Sequence, residues 1–130
     1  MRPRYLLWLV AASLVALVTT ACARGRAPDP PPVRAAVHEG VCAAAEAAAA
    51  GDRAGARAAF ADVHGPLHAL AGQLEEQDRG AAGRLLEAKQ RAEAGLESGP
   101  APPAGELDAL AAEVRAALDV IGADGPTTCP

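Results

Sequence analysis

The chain has 130 residues, a formal net charge of −4, 51% hydrophobic residues and only 2% aromatic residues. That size fits one small domain, and an acidic balance without aromatics or a basic stripe excludes nucleic acid as a partner. Alanine supplies 35 of the residues, so much of the apolar share brings helix propensity and little core volume.

At the N-terminus, Arg2 and Arg4 precede an apolar run from Leu6 to Val18, followed by Thr19-Thr20-Ala21-Cys22-Ala23. A basic head, a short apolar segment and a small-residue exit make a secretion signal. Thr19-Thr20-Ala21-Cys22 resembles the lipobox of bacterial lipoproteins, with Thr19 standing where that family usually has Leu or Val. The resemblance implies a signal peptide over 1–21 and lipid on Cys22. It also implies anchorage on the outer side of the bacterial cytoplasmic membrane. Two other readings stand beside it. Ala21-Cys22-Ala23 also suits an ordinary cut after Ala23, which would give a secreted protein. An uncleaved anchor is the third, although the apolar run is short against the ~20 residues that cross a bilayer. Arg24 and Arg26 balance Arg2 and Arg4, so the basic residues do not set an orientation. Beyond the signal ten basic residues face sixteen acidic ones, so membrane attachment rests on Cys22 and not on charge.

Three cysteines are an odd number for an exported protein. With Cys22 lipidated, the remaining pair is Cys42 and Cys129, in a compartment where disulfides persist. A bridge between them spans 87 residues of sequence and stabilises by about 4 kcal/mol in the chain-entropy account. The alternative leaves Cys42 a buried free thiol and Cys129 in the tail.

Residues 22–32 are proline-rich and form a semi-extended spacer of roughly 30 Å. Four helical segments follow within a domain over 33–130. Val33, Val37, Val41, Ala44 and Ala48 recur at helical spacing, with Gly51 as C-cap. Asp52 is the N-cap of a second segment that carries Ala56, Phe60, Val63, Leu67, Leu70 and Leu74 on one seam. The seam passes Gly65-Pro66 in phase. This predicts one helix from about Asp52 to Gln77, bent at Pro66, over two helices with Pro66 in a new first turn. Asp78 caps a third segment to about Glu97, with Ala81, Leu85, Ala88, Ala92 and Leu96 in register. Ser98-Gly99-Pro100-Ala101-Pro102-Pro103 breaks it. The fourth runs from about Ala104 to Ile121, with Leu107, Leu110, Val114, Ala117 and Leu118, and stops at Gly122. No segment shows strand alternation. Short connections predict an all-α, up-down four-helix bundle. Only 17 large apolar residues lie beyond Cys22, so the core is thin and the bridge matters to stability. Gly51-Asp52, Ala56 and Phe60 resemble the turn of a tetratricopeptide repeat, but the pattern occurs once and stacking needs three or more, so it reads as a helix hairpin.

The histidines are the sharpest candidates for chemistry. His64 and His68 stand one helical turn apart, and His38 and Cys42 share that spacing. Neutral imidazoles bind transition metals, and three histidines with a thiolate could make a tetrahedral site if both stripes met in one groove. At 100° per residue, however, His64 and His68 lie about 80° and 120° from their helix's apolar seam. His38 and Cys42 lie about 100° and 140° from the direction of Val37. All four are therefore expected at the flank or toward water. His38-Glu39 and Cys42 lack the second histidine of a zincin, and no CxxC, haem or phosphate-loop motif occurs. The acidic residues from Glu87 to Glu97 read as a solvated face, with Glu87 and Arg91 paired. The leading expectation is a non-enzymatic, exported, lipid-anchored helical module, without a cofactor, that binds or supports an envelope protein through an apolar patch beside Pro66. The alternative is a metal- or cofactor-binding bundle using His64 and His68, with His38 as a further ligand. A third is an accessory subunit whose site a partner completes.

Overall fold

The computed structural model describes residues 33–123 together with Thr128 and Cys129. The segments expected to be a signal and a spacer, with Cys22, lie outside the described residues. Four helices and no strand occur among the described residues: α1 Val33–Ala49, α2 Arg53–Gln77, α3 Arg79–Ser98 and α4 Ala104–Val120. The chain is an all-α four-helix bundle. α1 packs on α2, α2 on α3, α3 on α4 and α4 back on α1, while α2 and α4 also touch across the diagonal.

The helix ends follow from single residues. At the close of α1, Gly51 has φ +80°, a conformation that only glycine adopts cheaply. There the Gly51 N–H donates to the Ala48 carbonyl at 3.0 Å and the Asp52 N–H to Ala47 at 2.8 Å, a Schellman motif. Gly122, with φ +64°, ends α4 in the same way: its N–H reaches Asp119 and the Ala123 N–H reaches Leu118. Asp52 caps α2 by accepting from the Gly55 N–H at 2.8 Å. Asp78 serves two helices at once. Its N–H donates to Leu74, closing α2, and its carboxylate accepts from the Ala81 N–H at 2.9 Å, opening α3.

α2 is continuous through Pro66, as the seam predicts. Proline removes the hydrogen bond to Asp62 at a cost of about 3 kcal/mol. Leu67, Leu70 and Leu74 beyond it are all buried, each worth about 1.5–3 kcal/mol. Burial outweighs the lost bond.

Among the described residues, eleven of the 25 buried apolar ones are alanine. With methyl groups at the contacts, helices approach closely. A Cβ added at Gly40 on α1 would overlap Cγ1 of Val63 on α2. Near the end of α3, a Cβ at Gly95 would lie 2.5 Å from Cβ of the buried Pro103. The interior is closed by the Cys42–Cys129 disulfide, whose Cα atoms are 5.3 Å apart across 87 residues of sequence. It ties the tail to the middle of α1. Cys129→Ser should lower the unfolding free energy by about 4 kcal/mol. Denaturant melts of the oxidised wild type and the variant measure this, and a difference below about 1 kcal/mol would refute the bridge's role.

Candidate functional site

The histidines divide into two groups on different sides of the bundle. His64 and His68 lie on exposed positions of α2, with ring centroids 5.0 Å apart in an edge-to-face arrangement. His64 also meets Phe60 in an edge-to-face arrangement, at 6.4 Å between centroids. Across from them, α3 supplies Glu93, whose Oε1 lies 2.9 Å from His64 Nε2 and 2.7 Å from Lys89 Nζ. Arg57, Phe60, His64, Glu93 and Leu96 line an open groove of about 530 Å³ between these two helices.

Glu93 and Lys89 correct the expectation of a solvated acidic face on α3. Glu87 and Arg91 do form their expected pair at 2.5 Å, but Glu93 is half-buried and Lys89 is only 4% exposed. Lys89 stays within the bundle on α3 and brings its ammonium to Glu93 one turn away. Glu93 is thus the shared acceptor that makes a buried lysine tolerable. Among buried side-chain nitrogen and oxygen atoms of the described residues, none is without a partner.

At the lower end of this groove two arginines of α2 cap α3. The Arg53 guanidinium donates to the carbonyls of Gly95 and Leu96, each at 2.9 Å, and to Gly99 at 2.6 Å. Arg57 donates through Nε to Leu96 at 2.8 Å and through Nη2 to Glu97 at 3.1 Å. The last turn of α3 has no basic residue of its own, and its end carbonyls are the negative end of the helix dipole. The neighbouring helix supplies the missing cations. Nothing in the one-dimensional pattern marks these arginines, because their acceptors are backbone oxygens about forty residues away.

His38 belongs elsewhere. It is only 2% exposed, as is Cys42, which corrects the expectation that both point away from the core. The reason is geometric: α1 packs against two neighbours, α2 and α4. Its buried sector is therefore wide, and the directions 100° and 140° from Val37 fall within it. His38 Nδ1 lies 3.6 Å and Nε2 3.9 Å from Cys42 Sγ. A bridged sulfur carries no proton, so any hydrogen bond here is donated by the imidazole. Beside the pair, Asp108, Arg115, Thr128 and Cys129 line a small cleft of about 220 Å³. Burial, and then the Arg115 guanidinium, hold the His38 pKa below 6.5, against an opposing pull from Glu39.

Of the expected site residues, then, the fold joins Cys42 to Cys129 and places His38 against them. It also pairs His64 with His68. It does not bring His38 to the other two: among the described residues the cluster of three potential ligand groups is His38, Cys42 and Cys129. Cys22 lies outside the described residues. Beside Pro66, where an apolar patch is expected, lies a groove of about 300 Å³ between α1 and α2, lined by small apolar residues with Val63, Pro66 and Asp62. Large apolar side chains contribute little to the surface; among those described, Val120 alone is exposed, at 38%. No family model, curated protein or solved structure matches the chain.

Two predictions follow from this geometry. Glu93→Gln should destabilise by about 2 kcal/mol, because it leaves a buried ammonium without its counter-charge. Lys89→Met should be close to neutral, and the double variant should recover most of the Glu93→Gln loss in chemical denaturation. For His38 the unfolded chain binds a proton more tightly than the folded one. Its contribution is therefore constant above the unfolded value of 6.5 and becomes unfavourable as pH falls below it, toward the lowered folded pKa. The ionisable groups near the ring are Arg115 on α4, Glu39 and Asp108. Thermal midpoints at about pH 7.5 and about pH 5.5 should converge in His38→Gln relative to wild type; an unchanged gap would exclude His38 as the source.

Proposed function

We propose that this chain is a non-enzymatic, exported helical module, held at a membrane by lipid on Cys22, that binds or supports another component of the bacterial cell envelope. The observation that carries the reading is the Cys42–Cys129 bridge. It uses two of the three cysteines, and the third, Cys22, follows the lipobox-like Thr19-Thr20-Ala21. Disulfides of this kind persist outside the cytoplasm. Among the described residues no helix is long and apolar enough to cross a membrane. The polar side chains along α2 and α3 also favour a structural part, since Arg53 and Arg57 hold backbone carbonyls and Glu93 holds Lys89 and His64. Cys22→Ser should move the protein from the membrane to the soluble fraction of the envelope, with its mature mass lowered by the lost acyl groups. Unchanged fractionation and mass would overturn the lipid attachment.

A second reading, a metal- or cofactor-binding bundle, is favoured by the 5.0 Å spacing of the His64 and His68 rings. Elemental analysis of the oxidised full chain separates the two. Stoichiometric metal that disappears in His64→Ala would select the second reading, and its absence from wild type would select the first.

A further inference from the structure

We infer that His38, Cys42 and Cys129 form a latent binding site for a zinc-class divalent cation, closed while the cysteines are bridged and opened when a dithiol reductant cleaves them. This goes beyond the proposed function and does not depend on where the chain resides. The nitrogen of His38 and the two sulfurs all lie within 4.8 Å of one another, on two segments that the fold brings together from opposite ends of the domain. Zn–S bonds of about 2.3 Å and a Zn–N bond of about 2.05 Å at a tetrahedral angle place nitrogen and sulfur about 3.6 Å apart. The His38 Nδ1 to Cys42 Sγ distance is 3.6 Å. Because Nε2 is also only 3.9 Å from that sulfur, the sulfur lies beside the ring and off the Nδ1 lone-pair direction, so the imidazole must turn about its side-chain bonds before nitrogen and sulfur can share an ion.

The sulfur–sulfur edge needs the bridge to open. One thiolate of the reductant attacks a bridge sulfur, forms a mixed disulfide and expels the other cysteine as a thiolate. The reductant's second thiol then displaces the first. Two electrons and two protons have passed to Cys42 and Cys129, and the reductant leaves as its own disulfide. On binding, the cation releases both thiol protons to solvent. Its two positive charges are balanced by two thiolates, and His38 contributes an uncharged lone pair. Completing an S₂N face takes two movements, the freed sulfurs separating to about 3.8 Å and the His38 ring turning a nitrogen toward them. The fourth position opens toward the cleft lined by Asp108, Arg115 and Thr128, where water reaches the ion. Metal would then hold the tail to α1 in place of the covalent link. Soft thiolates with imidazole suit zinc and cobalt and disfavour magnesium and calcium. His64 and His68 offer no comparable set, because they contribute two nitrogens on an exposed face and His64 is held by Glu93.

Cobalt(II) titration of the full chain tests this, with a phosphine as the non-coordinating reductant. The reduced wild type should bind one equivalent and show both thiolate-to-cobalt charge transfer and the intense visible bands of tetrahedral cobalt. It should also bind one equivalent of zinc in competition, and its melting temperature should rise with zinc concentration. Oxidised wild type should show neither effect. In reduced protein Cys42→Ser and Cys129→Ser should each lose the charge-transfer signal, His38→Ala should bind at least about tenfold more weakly, and His64→Ala should bind as wild type does. If His38→Ala loses its helical circular dichroism, His38→Asn replaces it in the same comparison. The inference fails if reduced wild type shows no charge transfer, if cobalt neither finds nor restores a helical reduced chain, if the oxidised chain binds equally, or if the His38 variants keep full affinity.

Discussion

An interior of methyl groups constrains everything else in this bundle. Transfer free energy scales with apolar area, and a buried alanine removes far less of it from water than a leucine does. With alanine at eleven of 25 buried apolar positions, the helices must come close for those methyls to touch anything, and Gly40 against Val63 shows how close. The same closeness leaves little room to repack. The bridge between Cys42 and Cys129 acts on the other side of the balance, by restricting the unfolded chain and not by adding contacts to the folded one. A thin core and a long covalent loop are thus complementary solutions to one shortage, and this chain uses both.

Backbone chemistry at the helix ends is the second consequence. Helices built of small residues gain little from their faces, so unsatisfied end groups weigh heavily. The chain leaves few of them open. Glycines at 51 and 122 turn α1 and α4 back on themselves, Asp78 closes one helix and opens the next, and Arg53 and Arg57 cover the end of α3. The arginine clasp also fixes the corner where Pro103 rests on Gly95, which in turn sets where α4 begins.

What could be read from the sequence sorts along the same physical line. Four helices, their caps and the continuity of α2 through Pro66 were legible because each depends on residues within about four positions of one another. The Cys42–Cys129 pairing was legible by elimination, on the expectation that Cys22 is taken by lipid. The interactions that escaped notice join distant segments. Arg53 and Arg57 meet carbonyls on α3, Glu93 meets His64 of α2, and His38 is enclosed by α4 and the tail. A helical wheel assigns one buried direction to a helix, whereas a corner helix of a four-helix ring has two neighbours at roughly right angles. That difference moved His38 and Cys42 from the expected flank into the interior. Position on the wheel measures distance from a seam; burial depends on how many seams there are.

An imidazole in that place is a cost to such a bundle. His38 occupies volume that an alanine-rich core would fill most cheaply with an aliphatic side chain, and it must stay uncharged to remain there. Its lowered pKa, caused first by burial and then by Arg115, expresses that cost. Buried polar residues persist in folded proteins when they satisfy a partner or perform a task. The bridged sulfur is a weak acceptor and returns little for the desolvation of a ring nitrogen. A free thiolate or a sulfur-bound cation would return far more. The fold therefore holds His38 in a setting whose strongest interactions become available only when the adjacent bridge is open, which ties the polar character of this position to the redox state of its neighbours more closely than to the stability of the closed bundle.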